Sequence, residues 1–254
     1  MDTTGQVTGW RIFKHAFNQV FGNFGAAVRI SIPWFAGIVA FIWFAIGFEA
    51  SIIVGDPSFD VWLLIVAIAL PSVGLLWTIV SWHRFVLLEE RSGLVPFPAG
   101  RGMLAYFVRL LTLGFMIFLP LMILVFIVFF AMSGIDSPLL AGFIFVPAMF
   151  TAYYFMFRLA PILPASAIGQ QVSILGSFQA TKPLSSSIWG LIFVLIGAGF
   201  LFNLATGIVE IILEDSYVAL SVWIAVTQWI VMMVNVSILT TIYGVAIEGR
   251  DLID

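Results

Sequence analysis

The sequence predicts an all-α polytopic membrane protein, with six transmembrane helices and amphipathic helices on the cytoplasmic leaflet. Three observations predict it. Of 254 residues, 62% are hydrophobic and 9% charged, with a mean hydropathy of +1.16, whereas soluble domains carry about a quarter charged residues. Six apolar runs are long enough to span about 30 Å of hydrocarbon at about 1.5 Å per residue. Threading those runs back and forth puts all ten Lys and Arg on one side. No remaining stretch is able to build a separate soluble core, so residues 1–254 read as a single integral membrane domain.

The first element is Gly9 to Arg29. Trp10, Phe13, Phe17, Val20, Phe21 and Phe24 recur at three- and four-residue spacing on one helical face, opposite Arg11, Lys14, His15 and Asn18. Residues 9–29 therefore read as an interfacial helix rather than a cleavable signal, aromatics toward lipid and basic groups toward water. Packing against other cytoplasmic segments is the alternative. Spans follow near 30–54, 61–82, 110–132, 139–160, 188–213 and 218–245. Turn chemistry separates the members of each pair: Gly55-Asp56-Pro57-Ser58, Ser133-Gly134-Ile135-Asp136-Ser137 and Glu214-Asp215-Ser216.

Between the fourth and fifth spans, Ala165 to Ala180 forms a second amphipathic stretch, with Ile168, Val172, Leu175 and Phe178 against Gln170, Gln171, Ser173 and Ser177. Pro161, Pro164 and Pro183 bound it. Ala16-Phe17-Asn18-Gln19 and Ser177-Phe178-Gln179-Ala180 precede the first and fifth spans by similar distances. The chain thus reads as three units of amphipathic stretch, helix out and helix back.

Charge sets the orientation. Arg11, Lys14, Arg29, Arg84, Arg91, Arg101, Arg109, Arg158, Lys182 and Arg250 share the side of the termini and the even-numbered loops. The opposite side holds only acids: Glu49, Asp56, Asp60, Asp136, Glu210, Glu214 and Asp215. The positive-inside rule therefore places both termini in the cytoplasm.

Catalytic sets are missing. The chain has no cysteine, which excludes disulfides and thiolate chemistry. His15 and His83 are too far apart for a zincin pair. Glu89-Glu90 resembles the opening of the paired-glutamate motif of intramembrane prenyl-protein proteases, but position 94, where that motif has Arg, is Leu94. With no nucleophile elbow or Walker loop either, the chain is expected to be no enzyme and to hold no cofactor or metal.

Polar residues within spans are the remaining candidates. Ser221, Gln228 and Asn235 recur at intervals of seven on the sixth span, where Asn203 and Thr206 of the fifth are able to meet them. They line a polar path, or they supply interhelical hydrogen bonds worth about 0.6–2 kcal/mol each. Gly197-Ala198-Gly199 reads as a site of close helix approach. At the inner rim, Arg29, Arg84, Arg109, Arg158, Lys182 and Arg250 give every helix its own cation. These cations snorkel to lipid phosphate; alternatively Arg84 and Arg158, behind Trp82 and Phe157, converge with His83 on an anion or lipid headgroup.

Trp82-His83-Arg84, Arg158-Leu159-Ala160-Pro161 with Pro164-Ala165, and Ser177-Phe178 up to Trp189 resemble a group of poorly characterised bacterial six-helix inner-membrane proteins. That group is distantly similar to the membrane domain of glycerophosphodiester phosphodiesterases. The resemblance implies a bacterial inner-membrane location and a link to lipids. It brings no catalytic residue, because the catalytic barrel is absent. The expected function is a non-enzymatic membrane protein that binds lipids or partner proteins, a second copy of itself included, but no nucleic acid. A transporter of small solutes or lipids, or a subunit of one, is the alternative.

Overall fold

In a computed structural model the protein is described over residues 7–54, 61–90, 102–131, 138–213 and 216–252. The expected turns at 55–58, 133–137 and 214–215, with Asp56, Asp60, Arg91, Leu94, Arg101 and Asp136, lie outside these residues. Among the described residues every regular element is a helix: α1 (Gly9–Gly22), α2 (Phe24–Ile30), α3 (Ile32–Val54), α4 (Val61–Leu88), α5 (Met103–Ala131), α6 (Pro138–Leu159), α7 (Ile162–Ala167), α8 (Ile174–Ala180), a 3-10 turn (Lys182–Leu184), α9 (Ser185–Ile212) and α10 (Tyr217–Ala246). Apolar chain in hydrocarbon must satisfy its backbone internally, and a helix does so within one segment. Among the described residues five helices are long and apolar enough to cross a membrane, and a sixth span results if α2 and the start of α3, bent by 52°, count as one.

That bend has a local cause. Pro33 has no N–H and its ring crowds the preceding turn, so the helix breaks at Ser31, whose N–H reaches both Ala27 O and Val28 O at 3.1 Å. The Ser31 hydroxyl donates to Ala27 O at 2.8 Å and accepts the Trp229 indole N–H at 2.8 Å. The break is thereby fixed against α10.

Several expected boundaries move. Residues 9–29 are not one helix: α1 stops at Gly22, and Asn23 (φ −119°, ψ 33°) separates it from α2. The stretch 165–180 is likewise divided, because Gly169 turns the chain with φ +80° and Ser173 caps a new helix by accepting Gly176 N–H at 2.9 Å. Helix α4 continues past Trp82 to Leu88, and α5 begins at Met103 rather than Leu110.

The core sits at one end of the bundle. Ile12, Ala16 and Val20 along α1 are fully buried, as are Trp82, Ile188 and Ile242, each near the end of its helix on the side of the termini. There Arg11 donates to Leu252 O at 3.2 Å, tying the two terminal segments together. The far halves of the spans present Trp62, Phe129, Phe143 and Ile211 outward, as lipid-facing helices do.

Pairing differs along the chain, so the three expected helix pairs are not equivalent. Helices α3 and α4 approach backbone to backbone: a Cβ on Gly37 would lie 2.6 Å from Pro71 Cα, and one on Gly74 would lie 2.4 Å from Pro33 O. Helices α9 and α10, although consecutive, scarcely touch; each packs instead against α1. The contact is tightest at Gly9, where a Cβ would stand 2.1 Å from Leu191 N.

Candidate functional site

The residues singled out from sequence fall into two places, a polar rim at the end of the bundle that holds the termini and a cleft. On α4, Trp82, His83 and Arg84 project about 100° apart around the helix axis and so meet three different neighbours. The Trp82 indole donates to Ser237 Oγ of α10 at 2.7 Å. His83 is fully buried; its Nδ1 meets Thr240 Oγ1 at 2.8 Å and its Nε2 meets Tyr106 OH at 3.3 Å. Thr240 already donates its proton to Val236 O at 2.9 Å. A neutral ring with N–H on Nδ1, accepting from Tyr106 at Nε2, therefore satisfies every group. His83 joins α4, α5 and α10 from inside the protein.

Arg84 reaches back to Glu90, with Nε to Oε2 at 3.0 Å and Nη2 to Oε1 at 2.5 Å, and its Nη1 donates to Ala167 O at 3.0 Å. Glu89 makes this possible by taking a left-handed conformation (φ 54°) just past α4, which turns Glu90 toward the guanidinium. The fork that would hold a phosphate bidentately holds a carboxylate of the same chain.

Arg158 is 3% exposed. It donates to Thr181 Oγ1 at 2.8 Å, Tyr154 OH at 2.6 Å, Ser185 Oγ at 2.9 Å and Phe178 O at 2.5 Å, and its guanidinium carbon stands 4.0 Å from the Phe178 ring centroid. Ser177 Oγ in turn donates to Arg158 O at 3.1 Å, capping an orphan carbonyl at the end of α6. Arg84 and Arg158 thus belong to separate hydrogen-bond networks with no shared partner.

Other arginines at this rim are used in the same manner. Arg109 donates to Ile162 O at 3.2 Å, and Arg250 to Leu87 O at 3.0 Å. Leu87, Ala167 and Phe178 lie in last helical turns, where carbonyls lack partners within the helix. Sequence reading offered these cations as lipid anchors, with Arg84 and Arg158 alternatively at an anion or headgroup site; the structure engages the guanidiniums of Arg84, Arg109, Arg158 and Arg250 with backbone carbonyls.

The second place is a cleft of about 440 Å³ between α9 and α10, closed at one end by α1 and flanked by α6. Asn203, Gln228 and Asn235 line it together. Thr206 is not part of the lining, and its hydroxyl is buried with no hydrogen-bond partner among the described residues. Asn203 donates to Gly199 O and Asn235 to Val231 O, each at 2.8 Å. Ala198 and Gly199 face the cleft, and a Cβ on Gly197 or Gly199 would meet nothing within 4 Å. Small residues here leave space; they do not draw two helices together. Phe13 and Phe17 of α1 and Tyr153 and Phe157 of α6 also line the cleft. Sequence reading offered Phe13 and Phe17 to lipid or to other cytoplasmic segments and gave Tyr153 and Phe157 no place in a cleft.

Among the described residues no group of three or more His, Asp or Glu side chains is placed to hold a metal ion. No protein-family model matches the chain, and no curated protein or solved structure matches it significantly.

Proposed function

We propose that this chain is a non-enzymatic multi-pass protein of the bacterial inner membrane, with both termini in the cytoplasm, that binds lipid in the cleft between α9 and α10. One observation carries the reading. Two consecutive helices able to cross a membrane are held apart by α1, leaving a space of about 440 Å³, within the range of small-ligand sites. In a bilayer such a space opens onto lipid.

The two faces of α1 support an interfacial position. Ile12, Ala16 and Val20 are buried against the bundle, while Trp10, Phe17 and Phe21, followed by Phe24 of α2, are exposed. Their rings run in sequence, Phe17 to Phe21 at 4.3 Å and Phe24 to Trp229 at 5.7 Å between centroids. Aromatics at the inner boundary settle at headgroup depth. A fluorescent-protein fusion to the C-terminus that stays dark, while a phosphatase fusion is active, would overturn this orientation.

Native mass spectrometry of the gently extracted protein tests the function. We expect co-purifying lipid in the wild type and its loss in Gly199→Phe, whose ring would fill the cleft. A lipid-free wild type, or equal retention by the variant, would refute the reading. The transporter alternative gains from Asn203, Gln228 and Asn235 sharing one cleft. It is distinguished by loss of solute uptake in well-folded Gln228→Leu and Asn235→Leu proteins.

A further inference from the structure

We propose that Arg29, at the end of α2, is an anion site that holds the phosphate of a membrane phospholipid, separate from the cleft between α9 and α10. The proposal rests on the interfacial position of α1 and stands without a lipid in the cleft.

Arg29 is set apart from the other arginines by what it lacks. Arg11, Arg84, Arg109, Arg158 and Arg250 each donate to a backbone carbonyl. Arg29 makes no hydrogen bond or ion pair among the described residues, and its Nε is buried with no partner. Lys14 and Lys182 are exposed, where water hydrates an ammonium. A guanidinium with one donor withdrawn from water and unmet by protein is in a costlier state.

The cause is local. Where another arginine would engage the orphan carbonyls of a helix end, those of α2 are already taken. The Ser31 N–H reaches Ala27 O and Val28 O at 3.1 Å, and the Ser31 hydroxyl donates to Ala27 O at 2.8 Å. The Thr78 hydroxyl donates to Ile30 O at 3.4 Å. Neither α1 nor α2 contains an Asp or Glu, so no carboxylate of these helices competes for the cation. Its partner is an anion from outside, and the planar fork of a guanidinium matches the oxygens of a phosphate.

There is room for one. Side chains on a helix lean toward its N-terminus, so Arg29 lies over the position four residues earlier. That position is Gly25, which is exposed, and a Cβ there would meet nothing within 4 Å. The missing side chain leaves space beside the guanidinium for a headgroup. Phe24 and Val28, both exposed, share the neighbouring face of α2 and offer apolar surface to acyl chains. Helix α2 joins α1 to the bend into α3, which puts Arg29 at the boundary where phospholipid phosphates lie.

The test uses full-length protein, delipidated in mild detergent and titrated separately with dioleoylphosphatidylglycerol and dioleoylglycerol, which differ in the phosphate headgroup. Native mass spectrometry reads binding. A lipid at this open site exchanges freely, so titration reads it rather than what co-purifies. We expect phosphatidylglycerol to bind about tenfold tighter in the wild type, equivalent to about 1.4 kcal/mol. The preference should vanish in Arg29→Gln and in Gly25→Leu, which keeps the charge but fills the space. It should persist in Gly199→Phe, where the cleft is filled. Arg29 has no protein bond to lose, so Arg29→Gln should melt within about 2 °C of wild type; a larger fall would overturn the premise that its donors are free. Equal binding of the two lipids by the wild type, or an undiminished preference in Arg29→Gln or Gly25→Leu, would overturn the site and leave the cleft reading standing. Loss of the preference in Gly199→Phe would overturn its separateness from the cleft. Displacement of phosphatidylglycerol by equimolar inorganic phosphate would overturn the lipid as the source of the anion.

Discussion

Replacing Arg158 with Met distinguishes a structural arginine from a headgroup site. Met preserves much of the length and removes the charge and every donor. Four donor contacts end, to Thr181, Tyr154, Ser185 and Phe178, each worth about 1.5–3 kcal/mol for a charged donor. The stacking on Phe178 at 4.0 Å contributes about 2 kcal/mol more in a desolvated setting. Against this, removing a buried cation relieves a desolvation cost of several kcal/mol. The hydroxyls are free to turn to other partners, but the Phe178 carbonyl at the end of α8 loses its guanidinium donor. The net loss is about 3–5 kcal/mol, a fall on the order of 10 °C in Tm. Tryptophan fluorescence during thermal unfolding in mild detergent measures it. Arg158→Lys should lose nearly as much, because one ammonium cannot reproduce the planar fork. A variant melting within about 2 °C of wild type would refute the reasoning. Unchanged melting with reduced lipid retention would assign Arg158 to a headgroup instead.

Further outcomes follow from the same contacts. Gly9→Val would drive a side chain into the Leu191 backbone, 2.1 Å from the Cβ position; displacement of α1 should lower stability by about 3 kcal/mol or less and expose residues near Phe13 to limited proteolysis. A Gly9→Val protein as protease-resistant as wild type would count against that packing. Tyr106→Phe removes the hydroxyl 3.3 Å from His83 Nε2 and leaves a buried acceptor unpaired, costing about 1–3 kcal/mol. Denaturant titration reads this loss, and no change would mean that the contact contributes nothing.

Hydropathy made the helices long and apolar enough to cross a membrane legible, because it measures partition into lipid and their far halves expose apolar side chains. It failed where polar groups find partners within the protein. The end of α4 carries Ser81, His83 and Arg84, polar by composition, yet helix continues to Leu88, with His83 finding partners in α5 and α10 and Arg84 one in α7. Gly169 and Ser173 were visible signals for dividing 165–180, outweighed by the amphipathic pattern around them. In α1 the aromatic face was plain, whereas the buried face is Gly9, Ile12, Ala16 and Val20; Val20, grouped from sequence with the lipid-facing aromatics, is fully buried with Ile12 and Ala16 against the bundle, and Gly9 marks close approach only once a neighbour is known. The heptad spacing of Gln228 and Asn235 did place two amides on one face. Nothing in one helix reveals that its consecutive partner stands away from it.

The seat of α1 between α9 and α10 also governs how the protein is made. Helix α1 finds its partners only after α9 and α10 have been synthesised. Until Ile188, Leu191 and Ile242 emerge, Ile12, Ala16 and Val20 lack the side chains they are buried among. The contacts that close this region, Ser187 Oγ to Val7 O and Arg11 to Leu252 O, join residues 180 and 241 positions apart. Closure over such separations is slow, which makes the docking of α1 a late act of assembly.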